Sequence, residues 1–167
     1  MIAMTEQMNA YQVAAGTPDP ELPMLTIEDL GILRSVDHSQ AEVTVTITPT
    51  YSGCPAMREI TADIHSRLTG AGFPQVTVRT QLAPPWSTDW ITDEGHRKLA
   101  ANGIAPPSPA PRRSGPVPLT LTAPPAPACP HCGSRDTRRT AEFSATACKS
   151  LYRCTECDEP FEGVKAL

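Results

Sequence analysis

The stretch Val43-Thr44-Val45-Thr46-Ile47-Thr48-Pro49-Thr50-Tyr51-Ser52-Gly53-Cys54-Pro55-Ala56 decides how the first hundred or so residues fold. Its first six residues alternate branched apolar and hydroxyl side chains. That period of two is the mark of a strand with one face buried. Pro49 ends the strand, because it cannot donate to a ladder. Downstream, Met57, Ile60, Ile64 and Leu68 recur at helical spacing, and Gly70 and Gly72 stop the run. The segment thus predicts strand, loop, helix, with Pro55 at the first helical position and Cys54 at or beside the cap.

Outward from there the elements are mixed. Upstream, Leu30 to Val36 is a second strand candidate, with Asp37 to Gln40 as the hairpin turn between the two. Before it, Asp19-Pro20-Glu21-Leu22-Pro23 is held extended by its two prolines. Thr5 to Ala15 predicts a short helix capped by Thr5, with Met8 and Tyr11 on one face. Downstream, Val76 to Leu82 alternates as a third strand. Residues 87 to 101 predict a loop and a short helix ended by Asn102-Gly103. The order helix, strand, strand, helix, strand, helix predicts an α+β fold, a small two-layer sandwich over residues 1–104.

Residues 105–127 hold nine of the nineteen prolines. Proline fixes φ and removes a donor, so the stretch predicts an extended linker. Beyond it, residues 128–167 carry Cys129-Pro-His-Cys132-Gly133 and Cys154-Thr-Glu-Cys157-Asp158. Two residues between cysteines let one tight turn aim both sulfurs at one ion, and two such turns complete a tetrahedral shell. The pattern predicts a zinc ribbon held by Cys129, Cys132, Cys154 and Cys157. A domain this small buries too little to fold by core alone, so the metal supplies much of its folding energy. Iron in a rubredoxin-like centre is the functional alternative, and four unrelated free thiols the bland one. Cys148 reads as a small buried apolar residue, with a ligand swap the other option. His131, inside the first knuckle, is expected to face solvent.

The chain has 167 residues and a formal charge of −4. Residues 129 to 167 contain six Lys or Arg and six Asp or Glu, so the cysteine-rich end is neutral. Neutrality argues against a nucleic-acid ribbon, which needs clustered cations. No apolar run reaches the ~20 residues of a membrane span. Met1 to Ala10 lacks the basic start and apolar core of a secretory signal, which predicts a cytoplasmic protein with reduced cysteines.

Cys54 is the candidate for chemistry. At a helix start, free amides and the helix dipole favour a thiolate, which can act as nucleophile or metal ligand. Gly53 would let a ligand or partner approach the backbone. The plainer reading is a thiol filling the strand–helix junction. No catalytic triad is evident: His65 falls mid-helix, His38 in a turn and His96 in a polar helix. Asp19 and Glu21 read either as paired acids or as a capping turn. Of Trp86 and Trp90, one is expected to pack on the sheet and the other to face a partner.

These motifs carry a resemblance. Asp19 to Pro23, Asp29-Leu30-Gly31-Ile32 and Thr48 to Ala56 resemble the SufT-like domain of the metal–sulfur cluster biosynthesis family over most of residues 5 to 103. With Pro85-Trp86-Ser87-Thr88-Asp89-Trp90-Ile91, the proline stretch and Ala145 to Cys154, the whole chain resembles the PaaD (PaaJ) family. Its members are accessory subunits of the phenylacetyl-CoA ring 1,2-epoxidase, a multicomponent monooxygenase of aerobic phenylacetate degradation.

The resemblance implies a role in iron–sulfur or iron-centre maturation, with a transient iron or cluster as cargo. It implies Cys54, Asp19 and Glu21 as transfer residues. It implies the oxygenase and the iron–sulfur flavin reductase as partners, with no intrinsic catalysis here. The residues agree: there are no Glu-x-x-His pairs for a di-iron site and no Gly-rich dinucleotide loop. An interaction subunit without metal transfer, or an electron carrier, are the alternatives.

Overall fold

The computed structural model describes residues 10–39, 42–109 and 125–166. They form two compact units, Met1–Gly95 and His96–Leu167.

The first unit is a layer of sheet and a layer of helix. Helix α1 is described over residues 10–15; the expected cap at Thr5 and Met8 lie outside the described residues. Its buried face consists of small residues, Ala10, Ala14 and Ala15. Tyr11, expected on that face, is instead 42% exposed, and its hydroxyl donates to Glu28. A helix packed through alanines has no room for an aromatic ring on the same side.

Strand β1 (Leu33–Ser39) and strand β2 (Glu42–Ile47) form the hairpin, and β2 also pairs in parallel with β3 (Gln75–Thr80). The sheet order is β1-β2-β3. The first strand starts later than expected because residues 30–31 are spent on a turn. It runs through Ser39, past residues expected to turn, and residues 40–41 lie outside the described ones. On β2, Val43, Val45 and Ile47 are wholly buried and the threonines between them are not, as the alternation requires.

Helix α2 (Ala56–Gly70) makes the β2–β3 crossover and buries Ala56, Ile60, Ile64 and Leu68. Met57 is only half-buried. Pro55 serves as the cap rather than the first helical residue, and the helix continues through Gly70 to a cap at Ala71.

The rest of the unit is clasped around residues 26–32. Trp86 is buried and its indole N–H donates to the Leu30 carbonyl at 2.8 Å. The Asp29 carbonyl accepts from the Thr92 amide at 2.9 Å. Gly31 has φ +67°, and a Cβ there would lie 2.6 Å from Trp90 Cβ, so only glycine fits. A 3₁₀ turn, Thr88–Trp90, links the two tryptophans. It precedes helix α3 (Asp93–Ala101), within whose first turn the division between units falls.

The second unit has a four-stranded sheet. A two-residue strand, β4 (Ile104–Ala105), forms one edge. Strands β5 (Thr137–Ala141), β6 (Lys149–Cys154) and β7 (Pro160–Val164) are antiparallel neighbours, and β4 pairs in parallel with β7. Residues 104–105, read in the sequence as the end of the first domain and the start of the linker, therefore lie in the ribbon sheet. Among the described residues, no helix is long and apolar enough to cross a membrane.

Candidate metal centre and the loop before α2

The two CxxC turns meet as the spacing requires. The four sulfurs of Cys129, Cys132, Cys154 and Cys157 lie within 4.8 Å of one another. Cys129 Sγ is 3.7 Å from Cys157 Sγ, and Cys132 Sγ is 3.6 Å from Cys154 Sγ. A tetrahedron with metal–sulfur bonds of ~2.3 Å has edges of ~3.8 Å, so this donor set fits one tetrahedral ion.

Local structure explains the convergence. The first knuckle is tied by Gly133 N–H to Cys129 O and Cys129 N–H to Ser134 O; the second by Cys154 N–H to Glu159 O. One thiol of each knuckle, Cys129 and Cys154, is buried, and the other is exposed.

The thiols also compete. The Cys157 N–H, helped by that of Glu156, draws the Cys154 thiol down to about 7. At Cys157 the Glu159 N–H acts in the same direction, but desolvation and the other three thiols outweigh it and push Cys157 up to about 12. One sulfur ionises readily while a neighbour keeps its proton, because several thiolates this close repel without a cation between them. Metal binding must therefore release protons.

Cys148 stands apart from this cluster: its thiol is 3.2 Å from Thr146 Oγ1, and it is half-buried. His131 is exposed, as the knuckle reading expects. Sequence reading missed the buried Lys149, which bonds Glu162 at 2.7 Å. Burial alone would raise the Glu162 carboxyl, but Lys149 and the Ser144 hydroxyl hold it below the usual range.

Cys54 sits in the loop before α2, half-buried. Its N–H donates to Tyr51 O and its carbonyl accepts from Met57 N–H, both at 3.3 Å. Gly53 has φ +88° with open space where a Cβ would stand.

Asp19 is buried, and one carboxylate oxygen accepts from the Glu21 and Leu22 amides at 2.9 and 2.8 Å. Burial raises its pKa; the two amides work against that, and Glu21 and Glu59 add to it. Beside this turn lies an open cavity of about 500 Å³ lined by Pro18, Pro20 and α2 residues from Glu59 to Arg67. Among the described residues, Cys54, Asp19 and Glu21 do not form a ready-made ion site as the four cysteines do. Of the tryptophans, Trp86 is the packed one; Trp90 is half-exposed, with the Arg34 guanidinium 3.8 Å above its ring.

Comparison with known proteins follows the same division. The family described as iron-sulfur cluster assembly protein matches residues 15–79, and the PaaD zinc beta ribbon domain matches residues 113–165. Over nearly its full length the chain is similar to an Escherichia coli protein named as a subunit of a "Putative 1,2-phenylacetyl-CoA epoxidase". The two are 40% identical across 166 residues, 99% of this chain and 96% of that protein. The chain belongs to the PaaD family of epoxidase subunits.

Two further comparisons cover part of the chain. A Porphyromonas gingivalis "Fe-S protein maturation auxiliary factor" is 32% identical over 83 residues, covering 48% of this chain and 78% of that protein. The crystal structure of a DUF59 domain from Bacillus anthracis superposes with a TM-score of 0.53 at 25% identity. It covers 57% of this chain and 92% of that one. The family's two parts are thus an assembly-type α+β unit carrying Cys54 and a ribbon carrying the four cysteines.

Proposed function

We propose that this protein is a cytoplasmic accessory subunit of a phenylacetyl-CoA epoxidase system that helps iron or an iron–sulfur cluster reach the other subunits. The observation that carries the reading is the place of Cys54. It is a half-buried free thiol beside Gly53, on the loop before α2 and within the segment matched by the iron–sulfur assembly family. In this role Cys54 is the transient ligand. Asp19 and Glu21 shape the acidic turn, the ribbon takes zinc, and Trp90 with the ribbon contacts the oxygenase or the iron–sulfur flavin reductase. Zinc is the natural ion for a closed four-sulfur shell with a structural task.

Cys54→Ser tests the proposal. It should leave folding and ribbon zinc unchanged and lower the iron or cluster content of the co-expressed epoxidase subunits several-fold. Full iron content beside the mutant would sink the transfer role.

A second reading, an interaction subunit without metal transfer, is favoured by one detail. Asp19 already spends an oxygen on two backbone amides, as a purely structural turn would. That reading predicts a silent Cys54→Ser and loss of complex formation on truncation after Gly103.

A further inference from the structure

The two tryptophans of the first unit end in opposite states. Trp86 is buried, and its indole N–H is spent on the Leu30 carbonyl. Trp90 is half-exposed. Among the described residues its indole N–H has no acceptor. The buried side-chain polar atoms left without a partner there are the Thr17 and Thr48 hydroxyls, so the Trp90 donor faces water. The backbone beneath it is fixed. Gly31 packs directly against it, and the Trp90 amide donates to Ser87 O at 2.9 Å.

Arg34 reaches the same ring from β1. Leu33 pairs with Ile47 and Ser35 with Thr46, so Arg34 is the extra residue of a bulge and has no opposite residue on β2. A bulge re-aims a side chain. The exposed Arg34 guanidinium lies 3.8 Å from the centre of the Trp90 ring. Its N–H groups have no carboxylate or carbonyl partner among the described residues. A cation and an indole thus offer N–H donors at one place on the surface, with no acceptor between them.

We infer that Arg34 and Trp90 form a receptor for an acidic side chain, a Glu or Asp carboxylate on a partner subunit. The inference rests on the reading of this chain as a subunit that contacts others, and it names the chemistry of that contact. A guanidinium is a planar fork that matches a carboxylate with two parallel hydrogen bonds. Stacking on the ring pre-orders the fork, so less freedom is lost on docking. The indole N–H adds a further donor. A free small anion is a poor occupant, because one exposed cation attracts it only weakly in water. A carboxylate carried on a protein face differs: the same face covers the Trp90 ring and keeps water from the ion pair. Trp and Arg are enriched among the residues that dominate such contacts.

The test titrates the full chain, purified with zinc, into the purified oxygenase and the purified reductase, and reads Kd by calorimetry. The wild type should bind one of them, more weakly as salt rises. Arg34→Gln should weaken binding about ten- to hundred-fold and flatten the salt dependence. Trp90→Phe keeps a ring under the guanidinium but removes the N–H, and should cost less, about three- to ten-fold. Arg34→Glu should abolish binding, and one Glu or Asp to Lys change on the bound subunit should restore it. Circular dichroism of each variant should match wild type, which separates lost contact from lost fold. Unchanged affinity in Arg34→Gln and Arg34→Glu overturns the inference and leaves the subunit reading standing. So does a partner on which no acid-to-Lys change restores binding. Competition by millimolar acetate or phosphate would make the pair a small-anion site and overturn it as well. A wild type that binds neither subunit overturns both.

Discussion

The two units solve the same problem with different means. The first buries a continuous apolar core: Val43, Val45 and Ile47 from β2 and Ile60, Ile64 and Leu68 from α2 are each at most 1% exposed. The second gathers Ala105, Cys129, Cys154 and Phe161, with Tyr152 stacked on Phe161. Burial of apolar area scales with the size of the core, so the first unit can hold itself together and the second cannot. Ligation replaces burial in the ribbon. The lesson is that one chain carries two stabilities with separate controls, one set by packing and one by metal.

Removing the metal breaks the comparison most severely. A chelator, or Cys154→Ser, should unfold β5 to β7 at room temperature, with a cost on the order of 10 kcal/mol in apparent free energy. The first unit should keep its melting transition. Backbone NMR shifts report both units in one sample; a ribbon that stays dispersed without metal would remove the distinction.

Truncating the other core is the mirror experiment. Ile64→Ala should cost about 2–5 kcal/mol in the first unit, read as a lower urea midpoint. Zinc content of the ribbon should not change. Loss of zinc on this substitution would mean the two stabilities are not independent.

These two outcomes follow from patterns that short windows of sequence contain. Cysteine spacing fixes which sulfurs can share an ion, and alternation on 43–48 fixes which face of β2 is buried. The helix after Cys54 was legible for the same reason, through Ile60, Ile64 and Leu68. What was not legible depends on partners far along the chain. Nothing local to Gly31 says that Trp90 will lie against it, and nothing in Ile104-Ala105 says that β7 will accept it. Tyr11 misled because an aromatic at helical spacing normally faces inward, whereas here alanines make the contact. At the candidate site, the position of Cys54 before α2 was readable. For Asp19 the sequence leaves two options, paired acid or capping turn, and its bonds to the Glu21 and Leu22 amides are those of a cap.

Between the large effects and the small lies the clasp around residues 26–32. Trp86→Phe keeps the ring in the core but removes the N–H that bonds Leu30 O. A buried carbonyl left without its donor costs about 1–3 kcal/mol. The expected result is a lower melting point of the first unit with no change in the ribbon. A melting point equal to wild type would show that the clasp holds by packing alone.

The smallest effect concerns the acid in the same unit. Burial raises the Asp19 pKa; the Leu22 and Glu21 amides pull it back, and the charges of Glu21 and Glu59 push it further up. A raised pKa means the folded state prefers the protonated form. The stability from that preference is fully present below the ordinary carboxylate range and is lost as pH rises through the raised value. Asp19→Asn keeps an oxygen for both amides and carries no charge at any pH. Its melting point should match wild type in acid and exceed it slightly at neutral pH, the gap opening as Asp19 ionises. A wild type that is the more stable one at neutral pH would mean that a cation compensates the carboxylate. If the small gain is found and iron delivery falls with it, the first unit carries a charge that its fold would be better without. The cost of holding that charge is then set by function, the opposite of the ribbon, where the charged groups are what the fold depends on.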